Sequence, residues 1–450
     1  MSNIDVTNAG PSPAGEVAVA PLKRRTMAGF GAGNLSVNIM AQTFATLAVF
    51  FYVDELKADP AMIALAMGIH GVFNAVLNPI FGHLSDRTRS KWGRRLPYIM
   101  FGTVPLAAAF TMIWIPLANT PTGLFWYFLA VVLVYDVLFV LVVLNYGAVF
   151  PEMFITTAER ASGSAWRQMF AIVGMILGVG LAPVLYGLLG WAGMGIALGI
   201  VAVACMAIAA TSTVERRPAS TVEFSFVQAL GHTLKNRAFV SYVIGSFMLQ
   251  LSLVLLQASV PFYTKYVLGD PDPTLISIVM ATIFLVAIPM VYAWGIVIRR
   301  FGAKLAILAT IVVYAVGLIP FLFANGIALV LITAAVVGIA VAGMLVLLDI
   351  LLAEVIDLDA ERNGVRREGM FLGVNGFIVR WSVTVQAAVI GGVLAMSGYD
   401  ANLSVQPESV ALGVRLMIAG IPLGILVLAF IAYLFYPIAD RPQPVTEETL

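Results

Sequence analysis

The stretch NAVLNPIFGHLSDRTRSKWGRR, residues 74–95, decides the fold. Its first half is apolar apart from two amides, Asn74 and Asn78, one helical turn apart. Its second half crowds five cations, Arg87, Arg89, Lys91, Arg94 and Arg95, into nine residues. An apolar helix running into so basic a loop marks a membrane-spanning segment at the face of the bilayer that retains positive charge.

The rest of the chain follows the same pattern. Of its 450 residues 61% are hydrophobic and 11% charged, with a mean hydropathy of +0.97; a soluble domain carries roughly 25% charged residues. Apolar runs of about 20 residues are long enough to span a bilayer. Twelve are predicted: 27–52, 61–84, 97–118, 123–150, 165–187, 190–213, 238–266, 274–298, 304–324, 326–353, 371–396 and 409–436. With the N-terminus inside, 21 of the 25 cations fall on the cytoplasmic side, and only Lys57 and Lys265 fall outside. That bias puts both termini in the cytoplasm. Residues 1–22 lack the basic start and apolar core of a secretion signal and read as a disordered cytoplasmic tail. The single cysteine, Cys205, excludes an internal disulfide, and a net charge of +1 gives no footprint for nucleic acid.

The chain also repeats itself. EMFITTAER (152–160) follows predicted helix 4 and EVIDLDAER (354–362) follows predicted helix 10, 202 residues later. WGIVIRRFGAK after helix 8 is a weaker echo of the opening loop, and a polar segment, 215–237, separates the copies. Two parallel six-helix halves are the plan of the major facilitator transporters. The predicted fold is therefore an all-α integral membrane protein with twelve transmembrane helices in two pseudo-symmetric halves, 23–213 and 238–436. A linker at 214–237 joins them, and a cytoplasmic tail follows at 437–450.

In the opening loop, the glycine, acid and basic run of Gly82, Asp86, Arg94 and Arg95 resemble the helix 2–3 signature of that superfamily. Gly82 permits close helix contact, Asp86 suits a helix N-terminus, and the arginines suit the carboxylates Glu152, Glu159, Glu354 and Glu361. With Arg160 and Arg362 these residues are expected to latch the halves on the cytoplasmic side. SDRTRSKWGRRLP (85–97), Pro151–Glu152, NRAF (236–239), EVID with RREG (354–369) and the late Tyr436–Pro437 occur in order along the whole chain. Together they resemble the glycoside–pentoside–hexuronide:cation symporter family, which includes the melibiose carrier. The resemblance implies sugar transport driven by a co-transported cation.

The same resemblance exposes a departure. Sodium-coupled members carry acids at positions that match Asn74, Asn78, Ser36 and Val143 here. An amide cannot supply the charge a hard cation wants, nor take up a proton near neutral pH. A proton is therefore expected as the coupling ion rather than sodium. Two carboxylates remain inside the apolar segments, Asp136 and Asp349, and Arg380 matches a family position that usually holds lysine. A lone charge at mid-membrane costs roughly 3 kcal/mol on insertion scales and marks a pathway or a pair. If Asp136 pairs with Arg380 the core is neutral; if Asp349 does, Asp136 is free to carry a proton.

Hydroxyl-binding candidates are Asn34, Asn38 and Gln42, a polar stripe on helix 1, with Asn74 and Asn78 on helix 2 and Tyr135 on helix 4. Helix 7 adds Gln250 and Gln257, and helix 11 adds Asn375 and Trp381. Polar side chains also serve simply to hold helices together. His70 reads as packing, and Trp126 as an interfacial anchor. A polytopic enzyme would need a constellation that His70, His83 and His232, far apart in sequence, do not supply. No metal or cofactor is expected, and a monomer in the bacterial inner membrane is. The remaining alternatives are an uncoupled facilitator, or a carrier of an organic anion or amphipathic substrate with Arg380 as counter-charge.

Overall fold

The computed structural model describes residues 22–437 except 89, 215, 217–230, 232, 364–367 and 404. Inside helices, the side chains of residues 78, 79, 82, 83, 86, 87, 157, 158, 161 and 368 are also outside the description. The predicted tails, most of the linker and the surroundings of Asn78, Gly82 and Asp86 therefore lie outside the described residues.

What is described is helical. α1 covers Arg24–Glu55, α2 Pro60–Arg87, α3 Leu96–Ile113 and α4 Pro121–Met153. The next span, Ser162–Ser212, is 51 residues long. At 1.5 Å per residue that is about 75 Å, more than twice the roughly 30 Å hydrocarbon core. Gly190, at φ 72° and ψ 171°, breaks it, in a conformation open to glycine alone. The run is thus two passes, α5 (157–189) and α6 (191–212). α7 (Arg237–Tyr266), α8 (Pro273–Phe301), α9 (Ala303–Leu322), α10 (Ile327–Asn363), α11 (Glu368–Met396) and α12 (Glu408–Leu434) complete twelve helices.

Three helix starts use one local device. Asp59, Thr120 and Asp272 each cap the free N–H groups of the helix that follows, and Pro60, Pro121 and Pro273 occupy its first position. The proline has no N–H to leave unpaired and its φ is already helical. α3 stops at Ile113 rather than near 118 because Pro116 would collide with the carbonyl of Met112. α10 runs ten residues past its predicted end at 353, since its polar extension, Glu354–Arg362, stays helical. The repeat is therefore a sequence echo with two outcomes. In the first copy the helix is interrupted over Phe154–Thr156 and Thr156 caps α5; in the second the helix is continuous.

Within the first half α1 packs on α5 and α6, and α2 and α3 on α4; within the second, α8 and α9 pack on α10 and α11 and α12 on α7. Backbones touch where glycines allow it: Gly174 and Gly178 of α5 lie against the Leu35 and Ile39 carbonyls, and Thr43 donates to the Gly178 carbonyl at 3.0 Å. The halves meet along α2–α11, α1–α7 and α5–α8. Gly71 of α2 abuts Thr384 of α11, and Gly391 of α11 abuts the Pro60 carbonyl. At the face opposite the basic loops, Phe50 and Phe262 stack edge to face with centroids 5.1 Å apart. Beside them Asp54, fully buried, accepts hydrogen bonds from Lys265, Tyr266 and Tyr399, all on the other half. The molecule is closed at that face.

Candidate cavity and coupling site

Midway along the helices, α1, α2, α4 and α11 enclose a cavity of about 270 Å³, near the low end of the roughly 300–1,000 Å³ of small-molecule sites. Rings make up much of its wall: Phe44 from α1, Tyr135 and Phe139 from α4, Phe377 and Trp381 from α11. The polar groups are few and clustered. Asp136, 1% exposed, accepts from the Asn74 amide at 2.9 Å through Oδ1 and sits 2.5 Å from His70 Nδ1 through Oδ2. With the carboxylate ionised, Nδ1 carries the hydrogen of that bond. The Phe44 ring packs edge-on to His70 at 5.5 Å. The Tyr135 hydroxyl, next along α4, is buried with no hydrogen-bond partner among the described residues. Arg380 opens onto the cavity from α11 and feels the Asp136 charge.

His70 is the residue that sequence reading missed. It is not mere packing, because its ring is bonded to the buried carboxylate. The signal was there: His70 and Asn74 are four apart on α2 and so share a face, and that face meets Asp136. At the positions where sodium-coupled members carry acids, Val143 is an apolar part of the cavity wall and Ser36 is a buried hydroxyl without a hydrogen-bond partner among the described residues.

Of the expected hydroxyl-binding residues, Asn74, Tyr135 and Trp381 come together here. The helix 1 stripe turns toward α5: Asn34 donates to the Arg167 carbonyl at 3.1 Å and Asn38 to the Asn34 carbonyl at 2.8 Å. The Gln42 β-carbon stands beside Gly178 on the same side. Gln250 and Gln257 lie on α7 outside this cavity wall, and the buried Gln257 amide nitrogen has no partner among the described residues. Asn375 belongs to a second polar group in the other half, with Tyr242, Ser246 and Asp349. Asp349 is exposed despite its apolar helix.

At the basic face, Arg94 and Arg95 converge on Glu152, at 2.7 and 3.0 Å, and Arg95 also reaches the Ser85 hydroxyl at 2.9 Å. These contacts lie within the first half. Glu159 is the N3 member of a capping box with Thr156, and it also accepts from the Leu22 amide and from Arg216 at 3.0 Å. Burial works against its charge, but the Arg216 guanidinium and the amides of Leu22, Ile155 and Thr156 outweigh it, holding the carboxyl below its usual 4.5. Arg160 donates to the Phe154 carbonyl at 3.0 Å. Glu354 lies 3.4 Å from the Tyr436 hydroxyl, while Glu361 and Arg362 are exposed at the end of α10. Among the described residues, no group of three or more His, Cys, Asp or Glu side chains is arranged to hold a metal ion.

This arrangement matches known proteins along nearly its whole length. The glucuronide carrier protein homolog of Escherichia coli is 24% identical over 93% of this chain and 94% of its own. The isoprimeverose transporter of Lactiplantibacillus pentosus is 24% identical over 92% and 88%. An inward-facing bacterial homolog of the human lysosomal transporter Spinster superposes with a TM-score of 0.68 at 13% identity, over 93% of this chain and 97% of that one. Residues 29–440 match the family described as MFS/sugar transport protein. The chain belongs to that family of multi-pass membrane transporters, and within the major facilitator superfamily to its glycoside–pentoside–hexuronide:cation symporters.

Proposed function

We propose that this protein carries a sugar or small glycoside across the membrane by alternating access, coupled to protons through Asp136 with Arg380 modulating it. The observation that carries this reading is the cavity itself. Aromatic faces suit the C–H surface of a pyranose, and the Asn74 amide and the Tyr135 hydroxyl suit its hydroxyls. Relatives named for glucuronide and isoprimeverose carriage support the same substrate class. The cation bias supports placing the basic face and both termini in the cytoplasm, and on this reading the protein works as a monomer in a bacterial inner membrane.

On this reading the halves, 23–213 and 238–436, rock about the cavity. Gln250, Gln257 and Asn375 engage the substrate from the second half, and the amides of α1 and Asn78 complete the first. In the opposite state, Arg94, Arg95, Arg160 and Arg362 exchange partners among Glu152, Glu159, Glu354 and Glu361 and latch the cytoplasmic side around Gly82 and Asp86. Asn74, Asn78, Ser36 and Val143 leave nothing for sodium in the usual place.

The test uses purified protein in sodium-free liposomes, a panel of neutral glycosides and uronides, and a recording of external pH. Substrate addition alkalinises the medium with the wild type. Asp136→Asn abolishes this and uphill accumulation while sparing exchange. Unchanged accumulation in Asp136→Asn overturns the coupling role, and flux of none of the panel overturns the substrate class.

A further inference from the structure

We propose that His70 is the seat of the transported proton: its imidazole accepts the proton beside Asp136 and thereby releases Arg380 to the substrate. The inference rests on the proposed sugar–proton symport and assigns the atom that carries the coupling ion.

The usual acidic positions are vacated. Asp136 stands seven residues from Val143 along α4, about 10 Å at 1.5 Å per residue, so the carboxylate of this chain serves a differently built site. Each of its oxygens already accepts one hydrogen bond, Oδ1 from the Asn74 amide and Oδ2 from His70 Nδ1, and donors aimed at a carboxylate favour its charged form. That geometry points the arriving proton to a neighbouring lone pair. His70 supplies one, because an imidazole that donates through Nδ1 keeps Nε2 as an acceptor. His70 lines the cavity, which gives that proton a path.

The groups facing His70 are few. α1 presents the Phe44 ring, α4 presents Asp136 and Tyr135, and α11 presents Arg380 and the neutral Thr384. Without the proton, Asp136 and Arg380 balance each other across the cavity. With it, the imidazolium and Asp136 form a neutral pair on the first half, and the attraction of Asp136 for Arg380 on the second half weakens. The proton adds to the Nε2 lone pair and leaves from it on the other side, so nothing else is consumed. Because the pair sits on α2 and α4 while the guanidinium sits on α11, protonation changes the attraction between the two halves, and substrate and proton binding become linked.

His70→Gln keeps a donor for Asp136 but cannot take a proton. With a pH gradient of one unit, a one-to-one symporter accumulates substrate up to about tenfold. The expected result is accumulation near unity in His70→Gln, no substrate-driven proton uptake, and exchange whose rate no longer depends on pH between 5.5 and 8. Proton-driven accumulation equal to the wild type overturns the inference. If the wild type moves sugar without protons, the coupling half of the proposed function falls and the inference with it; if the wild type couples and His70→Gln also couples, only the inference falls. A second measurement avoids reliance on that variant folding. In protein whose His83 and His232 are replaced by glutamine, infrared difference spectra with isotope-labelled histidine read His70 alone. An imidazolium band that appears on adding sugar supports the assignment, and a ring that stays neutral from pH 8 to 5 overturns it.

Discussion

The Asp54 carboxylate, at the end of α1, is bonded to the Lys265 ammonium at the end of α7, and the pair joins the two halves at the face opposite the basic loops. Tyr266 and Tyr399 bring further donors to the same carboxylate, which has no exposed surface. A buried charge stripped of its partner costs about 3–5 kcal/mol, and here toward the lower figure because the Lys265 side chain is 29% exposed. The closed face therefore depends on one carboxylate that only the first half supplies. Asp54→Asn is expected to shift the population toward the state open at that face. A cysteine placed at Ala75, in the cavity wall, with Cys205→Ala removing the native thiol, reads this out. In Asp54→Asn it reacts severalfold faster with a membrane-impermeant reagent from the outer side. Equal rates would remove Asp54 from the gate.

Helices α2 and α11 close the same face by backbone proximity. An alanine at Gly71 would place its β-carbon 2.9 Å from the Thr384 β-carbon and into the hydroxyl, closer than real side chains approach. The strain exists only where the two helices are pressed together, so Gly71→Ala should disfavour closure without harming either half. Transport slows while the melting temperature in detergent changes little, and the double variant Gly71→Ala with Thr384→Ala recovers much of the rate. Failure of the second substitution to restore any transport would show that the contact is not the cause.

The carboxylate of Glu159 docks residue 22 and Arg216 onto the start of α5. Its folded value is depressed below 4.5, so its contribution is fully present above 4.5 and is lost as the pH falls through the depressed value. At pH 7 the anchor is intact. As the pH falls through the depressed value the charged acceptor weakens, and in Glu159→Ala it is gone at any pH, so the hydrogen exchange of the Ile155 and Thr156 amides, corrected for the intrinsic rate, accelerates. Protection unchanged in Glu159→Ala would assign the cap to Thr156 alone.

The fold was legible because hydropathy, charge bias and repeat spacing are all set by local composition, and the bilayer enforces them along the whole chain. The site was legible only where chemistry is forced. A buried acid in an apolar helix has to be partnered, which singled out Asp136, and a guanidinium within an apolar stretch likewise singled out Arg380. Which amide faces the cavity and which faces a neighbouring helix is a matter of rotation by one position, about 100° around the helix. Asn34 and Asn38 therefore carried the same sequence signal as Asn74 and yet bond to α5 and to their own helix. Asp54 was overlooked because it lies at the end of a span, where charges are common, and only the packing of α7 against α1 makes it buried.

Arg380 separates the substrate classes. It opens onto the cavity with Asp136 as the carboxylate whose charge it feels, and with Trp381 next to it in the wall. A neutral glycoside can meet the guanidinium only by accepting its hydrogen bonds on hydroxyl or ring oxygens, whereas a uronide brings a carboxylate that can take both of its forks. Hydrogen bonds to charged groups are worth about 1.5–3 kcal/mol, or roughly 10- to 150-fold in affinity. If the carrier recognises uronides, Arg380→Ala weakens their binding by that factor and neutral glycosides by much less, and Arg380→Lys, a point charge without the planar fork, recovers only part of it. Equal losses for both classes would place Arg380 with Asp136 as an internal counter-charge, and the substrate would then be a neutral sugar.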